Sequence, residues 1–289
     1  MTRRGPRGRR LTGWRKLAGA AWRAPADPQF YGDLEIDAGA LLEYQRELRD
    51  AGHAHVTITH LVGRGVARAL RETPGMSVRI ARGRQYPRES VDVFFIVSTD
   101  DGDNLTGVKV VDADKKDVLT LASEVRDSVA VVREGNDEAF GKVRRMLDLL
   151  PPRVLRPALN LGSWLTSDLD LDLPRLGMRR ESFGGAMITS VGMWGVTRAY
   201  SPLASYYRVP VLVLVGAVTQ RPVAVAGQVL VRPMLTLTAT FDHRYVDGAH
   251  AARFAQAVGE YLRDPSKHEG AAAVDTNVVP LPRAPRVKV

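Results

Sequence analysis

The stretch that most narrows the fold runs from Thr238 to Phe254 and reads TATFDHRYVDGAHAARF. A β-branched strand pattern stops at Asp242-His243, a Tyr-Val step follows, and Asp247-Gly248 opens a helical pattern. Strand, turn and helix in so short a space hold an imidazole at a strand end, where the sheet fixes its position. A carboxylate and a glycine sit one turn away. Such a setting suits a general base. A histidine between Asp and Arg at a strand end also has an ordinary reading as a satisfied structural residue, and the pattern alone leaves both open. His53, His55, His60, His250 and His268 lack this setting and read as structural or surface residues.

The rest of the chain supplies a sheet and helices around that element. Phe30 to Ile36, Met76 to Ile80, Val91 to Val97 and Thr106 to Val111 read as strands. Helices are expected over Ala38 to Ala51, over Val56 to Leu70 with Thr57 and Thr59 as candidate caps, and over Asp117 to Val132. The final third predicts strands at Ala186 to Ser190, Val209 to Val218, Val223 to Val231 and Leu235 to Phe241, then a helix from Asp247 to Leu262. Strands alternating with helices in one long core predict a single mixed-sheet α/β domain over 27–263.

Charge and composition exclude several chemistries. The 289 residues include no cysteine, which removes disulfides, thiolate metal sites and a cysteine nucleophile. No apolar run approaches the roughly 20 residues that span a bilayer, and a signal peptide pattern is missing, so a cytoplasmic location is expected. The formal charge is +9, yet Met1 to Ala26 alone carries Arg3, Arg4, Arg7, Arg9, Arg10, Arg15, Lys16 and Arg23 with no acid. Residues 1–26 therefore read as a basic arm. Contact with nucleic acid or an anionic membrane through it is weakly supported, because aromatic interleaving is lacking. Residues 264–289, with Pro280, Pro282 and Pro285, read as a loose tail.

The segment 140–180 differs in character, because Pro151-Pro152 and Pro157 interrupt apolar clusters; two short helices joined at the prolines are expected. A lid over a site, a packing surface for another subunit and an interfacial helix on a membrane all fit its composition. Asp168, Asp170 and Asp172 alternate with leucines but lack the glycine and closing glutamate of a calcium loop, so no metal is expected.

His243-Arg244-Tyr245-Val246-Asp247-Gly248, preceded by Asp242, resembles the DHRxxDG signature of the acyltransferase component of 2-oxo acid dehydrogenase complexes. Ile188 to Gly195 resembles that family's ISNLGMFG-type segment, and Val231 to Met234 resembles the approach to its catalytic strand. The resemblance extends over about Leu11 to Leu262, interrupted around 140–180. It implies a chloramphenicol acetyltransferase-like mixed β-sheet sandwich with helices. It also implies transfer of an acyl group between coenzyme A and a thiol of the dihydrolipoyl kind or a small-molecule acceptor. His243 is then the base that takes the thiol proton, and Thr189 supplies the hydroxyl that meets the oxyanion, with Ser190 as its neighbour in reserve. Asp247 and Gly248 hold the loop, and Arg15 is the expected partner of Asp247.

Coenzyme A or acyl-coenzyme A is the expected substrate, and a lipoyl group is expected only if another chain supplies it. The resemblance further implies a homotrimer with the site between subunits and a partner among lipoyl-bearing or dehydrogenase-complex proteins. Against the family pattern, lipoyl and subunit-binding domains are not present in the sequence, which is expected to act as a stand-alone form. A catalytically idle trimeric scaffold or assembly protein is the alternative, and intact His243 and Asp247 argue against it. No GxSxG motif is present, which speaks against a serine hydrolase.

Overall fold

The structure, a computed structural model, describes residues 27–99, 104–133, 151–174 and 178–269. The expected arm with Arg15, the centre of the turn after the second long strand, residues 134–150 and 175–177 of the interrupting segment, and the tail from 270 lie outside the described residues.

Elements follow one another as β1 (Gln29–Asp37), α1 (Gly39–Asp50), α2 (Ile58–Glu72), β2 (Val78–Ala81), β3 (Arg84–Pro87), β4 (Val93–Thr99), β5 (Asn104–Val110), α3 (Val118–Arg133) and α4 (Pro152–Ser167). The final third adds β6 (Ala186–Ser190), β7 (Val211–Val215), β8 (Thr219–Val225), β9 (Gln228–Asp242), α5 (Gly248–Arg263) and α6 (Pro265–Glu269). Among the described residues a seven-stranded mixed sheet runs in the order β1-β9-β7-β6-β4-β5, with β8 paired to the outer half of β9. The pairs β4–β6 and β6–β7 are parallel; β7–β9, β9–β1 and β4–β5 are antiparallel.

Strand periodicity gives this sheet two unlike faces. Val93, Phe95, Ile188, Val213, Leu237 and Phe241 belong to the main core, which the helices cover. Met187 and Leu212 belong to a smaller cluster on the other face, with Leu203 and Val209. There the threonines of β9 turn the alternation to use: Thr238 and Thr240 are buried and donate their hydroxyls to the carbonyls of Ala199 and Ser201 in the strap that crosses that face. The helices approach closely where side chains vanish. A Cβ at Gly63 of α2 would overlap the Phe95 ring, and one at Gly65 would lie 2.9 Å from the Tyr261 ring of α5.

Three expectations are corrected. Val223 to Val231 is a hairpin rather than one strand, because Ala226 (φ 47°) and Gly227 (φ 81°) turn the chain between β8 and β9. An alanine at the first turn position concealed the signal. Pro157 does not interrupt its helix: α4 continues through it from Pro152 to Ser167, at the cost of one backbone hydrogen bond, with the proline exposed on the outer side, while the helix expected before Pro151-Pro152 lies outside the described residues. The start of the expected loose tail is ordered as α6, where the Glu269 side chain is fully buried, 3.1 Å from Arg64, and accepts from Val118 N–H and the Tyr261 hydroxyl at 2.8 Å. The strand expected over Met76 to Ile80 forms as β2, but its hairpin partner β3 was not expected; Arg82 and Gly83 form the left-handed turn between them.

Candidate active site

His243 stands where β9 ends, between the neighbouring strands β1 and β7. Its backbone N–H donates to Pro28 O at 2.8 Å, and the N–H of Asp242 donates to Pro210 O at 3.0 Å, so neighbouring strands hold the turn from both sides. The Tyr245 and Val246 amides then return to Asp242 O at 3.0 and 3.1 Å. Tyr245 and Val246 are buried, which leaves His243 and Arg244 outward and exposed. The Phe30 ring stacks on Phe241 at 5.0 Å and tilts against the His243 ring at the same centroid distance, giving the imidazole an apolar backing. Beside these phenylalanines an apolar cavity of about 210 Å³ lies between α5 and the β1–β9 pair, bounded by Gly32, Ala251 and Ala255.

Asp242 is buried, and its charge is met by Arg244 two residues on. The Arg244 Nε lies 3.0 and 3.1 Å from the two carboxylate oxygens and Nη2 lies 2.5 Å from Oδ2, while the Arg244 amide also donates to Oδ1 at 3.0 Å. The sequence reading quoted both residues within the motif and gave neither a role. The signal was available in the Asp-His-Arg order, since a side chain at i+2 across a tight turn returns to residue i.

Asp247 is the N-cap of α5: its Oδ1 accepts from His250 N–H at 3.0 Å and lies 2.9 Å from His250 Nδ1. The His250 backbone N–H, with the histidine ring beside it, holds the carboxyl below the usual aspartate range. Among the described residues these are its partners, and the expected contact with Arg15 lies outside them. Gly248 is the first residue of α5, and a Cβ there would meet nothing within 4 Å.

Thr189 and Ser190 end β6 at the opposite end of the sheet's strands. Thr189 pairs with Leu214, and Ser190 Oγ reaches Val215 O at 3.5 Å. Both hydroxyl residues are partly exposed, and the chain beyond them presents Met193 (77% exposed) and Trp194 (51%). The expected pair is therefore not brought together. Asp242, next to His243, is level with Pro210 just before β7, and Thr189 is level with Leu214 near its end. Four residues of strand and two strand spacings separate them by at least about 15 Å. Alternation also puts Thr189 on the face of Met187, away from the Phe30–Phe241 face that backs His243.

The interrupting segment is anchored near the His243 edge. Arg208, two residues before Pro210, donates to Ser163 Oγ and Asp168 at 3.0 Å, and Arg79 reaches Ser167 O and Asp170. Two of the three alternating aspartates are thus occupied by arginines. Among the described residues no cluster of metal ligands is found, and no helix is long and apolar enough to cross a membrane.

Comparison with known proteins decides the family. The 2-oxoacid dehydrogenases acyltransferase (catalytic domain) family matches residues 10–139 and 178–268, which is most of the chain and includes β6, β9 and the His243 turn. The chain belongs to this family. Relatives include the probable dihydrolipoyllysine-residue succinyltransferase component of the 2-oxoglutarate dehydrogenase complex of Schizosaccharomyces pombe, 38% identical over 32% of this chain and 20% of that one. The dihydrolipoyllysine-residue acetyltransferase component of the Zymomonas mobilis pyruvate dehydrogenase complex is 22% identical over 82% of this chain and 45% of its own length. The chain thus spans between a fifth and about half of these curated relatives. In fold, it is similar to a probable dihydrolipoamide acetyltransferase from Listeria monocytogenes (TM-score 0.62, 19% identity, 91% of this chain and 97% of that one). It is similar also to the dihydrolipoamide acetyltransferase of Azotobacter vinelandii (TM-score 0.61, 21% identity, 86% and 85%). The expected mixed α/β acyltransferase fold is what the family and these structures share.

Proposed function

We propose that the chain is a coenzyme A-dependent acyltransferase whose working site forms between copies, with His243 from one and Thr189 from another. The observation that carries this is the position of the two groups at opposite strand ends and on opposite faces of one sheet. A single chain cannot direct both at one carbonyl; a closed ring of copies brings the His243 end of one against the Thr189 end of the next. A trimer is the simplest ring that the family resemblance supports. The exposed Met193 and Trp194 beside Thr189 supply apolar surface for such a contact. In the Azotobacter protein a serine, a histidine and an asparagine were probed for catalytic roles, and the asparagine follows the histidine by four residues, the interval from His243 to Asp247.

In the reaction, the acceptor thiol gives its proton to the His243 imidazole, and the thiolate attacks the thioester carbonyl carbon. The carbonyl oxygen becomes an oxyanion, which the Thr189 hydroxyl meets as a hydrogen-bond donor. The intermediate collapses by breaking the carbon–sulfur bond to coenzyme A, whose leaving thiolate takes the proton back from the imidazolium. The Asp242–Arg244 pair and the Pro28 and Pro210 carbonyls hold the turn while His243 shuttles that proton. Asp247 fixes the start of α5. The acceptor is a thiol of the dihydrolipoyl kind, presented by another chain or as a small molecule.

Mixing two inactive variants tests this reading. His243→Ala and Thr189→Val proteins, each assayed alone with acetyl-coenzyme A and dihydrolipoamide, are expected to be nearly inert. Unfolded together and refolded, they regain a fraction of activity, because mixed rings contain interfaces with both intact groups. Full activity in His243→Ala alone overturns the mechanism, and silence of the wild type with every acceptor favours the idle scaffold.

A further inference from the structure

Arg208 stands in a conformation that a chain rarely gives an arginine. It follows the 3-10 turn Ser205–Tyr207 with φ 56° and ψ 33°, in the left-handed region where a side chain crowds its own backbone. Two sets of contacts hold it there. Its Nε donates to Ser163 Oγ and its Nη2 to Asp168 Oδ2, both at 3.0 Å, while its carbonyl accepts from Arg88 Nη2 at 2.9 Å. Arg88 is itself fixed, with a buried side chain whose Nη1 lies 3.2 Å from Glu181 Oε2. Backbone strain of this kind persists only where the surroundings over-determine it, and it gathers at functional sites.

Two residues on, the same stretch of chain reaches the site. Val209 is buried with Met187 and Leu212, and the Pro210 carbonyl accepts the Asp242 N–H at 3.0 Å. Val209 and Pro210, both buried, leave little slack between the Arg208 fork and the residue next to His243. Tyr245 adds a second link: burial raises the pKa of its hydroxyl, and the positive charges of Arg244, Arg208 and Arg88 oppose that rise. Both acceptors of the fork, Ser163 and Asp168, lie between the two stretches that match the family, residues 10–139 and 178–268. They are additions to the shared catalytic core. A planar guanidinium that spans two acceptors fixes a direction, as a single point charge does not.

We propose that Arg208 is a positioning residue of the acyl-transfer site, through which the segment 151–174 braces the turn that carries His243. The inference rests on the acyl-transfer reading for its kinetic readout, and a second readout is independent of turnover. Arg208→Lys and Asp168→Asn are each expected to lower kcat about tenfold with KM nearly unchanged, since small displacements at the reacting centre are costly. Arg208→Gly, which suits the left-handed backbone but lacks the fork, should fall at least as far. Arg208→Lys combined with Asp168→Asn should lose little more than either alone, because both break one contact. Asp170→Asn is the control: it loosens the same segment from Arg79 and Arg180 without touching Arg208, and wild-type kcat is expected. Residue-resolved amide hydrogen exchange gives the second readout. The Asp242 N–H should exchange about tenfold faster in Arg208→Lys and Asp168→Asn, with Val213 in the middle of β7 unchanged. Wild-type kcat in Arg208→Gly or Asp168→Asn, a change in KM rather than kcat, an equal loss in Asp170→Asn, or unchanged Asp242 exchange overturns the brace. Silence of the wild type with every acceptor would sink the acyl-transfer reading alone, and the Asp242 exchange rates then decide the brace.

Discussion

Asp242 and Arg244 form a two-pronged ion pair that straddles His243, with Arg244 Nε 3.0 and 3.1 Å from the carboxylate oxygens and Nη2 2.5 Å from one of them. The buried carboxylate is thereby neutralised inside the turn that carries the imidazole, and hydrogen bonding to it holds the Arg244 guanidinium above its ordinary pKa. A fork of this kind fixes direction as well as charge.

Replacing that fork by a point charge should therefore loosen His243 without removing it. Arg244→Lys is expected to lower kcat about tenfold with little change in KM, and Arg244→Ala to lower it further, since positioning errors near an ångström can cost on the order of a hundredfold. Steady-state kinetics on both variants, with circular dichroism as a folding control, checks this; equal kcat in all three proteins would remove the ion pair from the mechanism.

Thr189 carries a methyl group where the family pattern has a serine, and in the proposed mechanism its hydroxyl is the part that acts. Thr189→Ser should keep activity within a few-fold, whereas Thr189→Val, similar in shape, should lose roughly 10²- to 10³-fold in kcat. If Thr189→Val stays active, the double change with Ser190→Ala shows whether the neighbouring hydroxyl serves instead.

His60 offers a pH signature of the fold. Its Nδ1 accepts from Thr57 N–H at 3.1 Å at the start of α2, and desolvation beneath that helix pulls its pKa down from 6.5 to about 4. The unfolded chain thus binds the proton more tightly than the folded one. Stability from this group is complete above about pH 6.5 and is lost as pH falls toward about 4, by at most about 3 kcal/mol. Denaturant titrations across that window should show a slope that His60→Gln flattens.

Gly63 is placed against the Phe95 ring, where a Cβ has no room. Gly63→Ala improves helix propensity yet forces α2 from the sheet, and a net loss of about 1–3 kcal/mol is expected. Thermal unfolding decides the sign: a higher Tm would mean that the ring moves aside freely.

Much of the fold was legible because local pattern and tertiary demand agree. The Leu235–Phe241 alternation, the Asp247 cap and the Val56–Leu70 stripe each encode their element within a few residues, and each element forms near the expected positions. The errors lie where the deciding energy is local backbone geometry or non-local contact. Ala226 in a left-handed turn resembles a strand residue, and Pro157 resembles a helix end until the surrounding helix tolerates it. Glu269 in a polar, proline-rich tail gave no sign of being buried against Arg64, because its partner lies some two hundred residues earlier in sequence.

The sequence by itself determined the family resemblance: Asp242, His243, Arg244, Asp247 and the hydroxyls of Thr189 and Ser190 are readable as types in an order that the proposed mechanism then uses. It determined, too, that residues 140–180 stand apart from the rest. Only the tertiary structure decided how these groups relate in space. The parallel and antiparallel pairings of β6, β7 and β9 carry Thr189 and His243 to opposite strand ends and faces, and Arg79 and Arg208 hold α4 so that Leu161 and Trp164 face outward. Periodicity along a chain says which residues share a face; which face is covered depends on partners brought from far along the sequence.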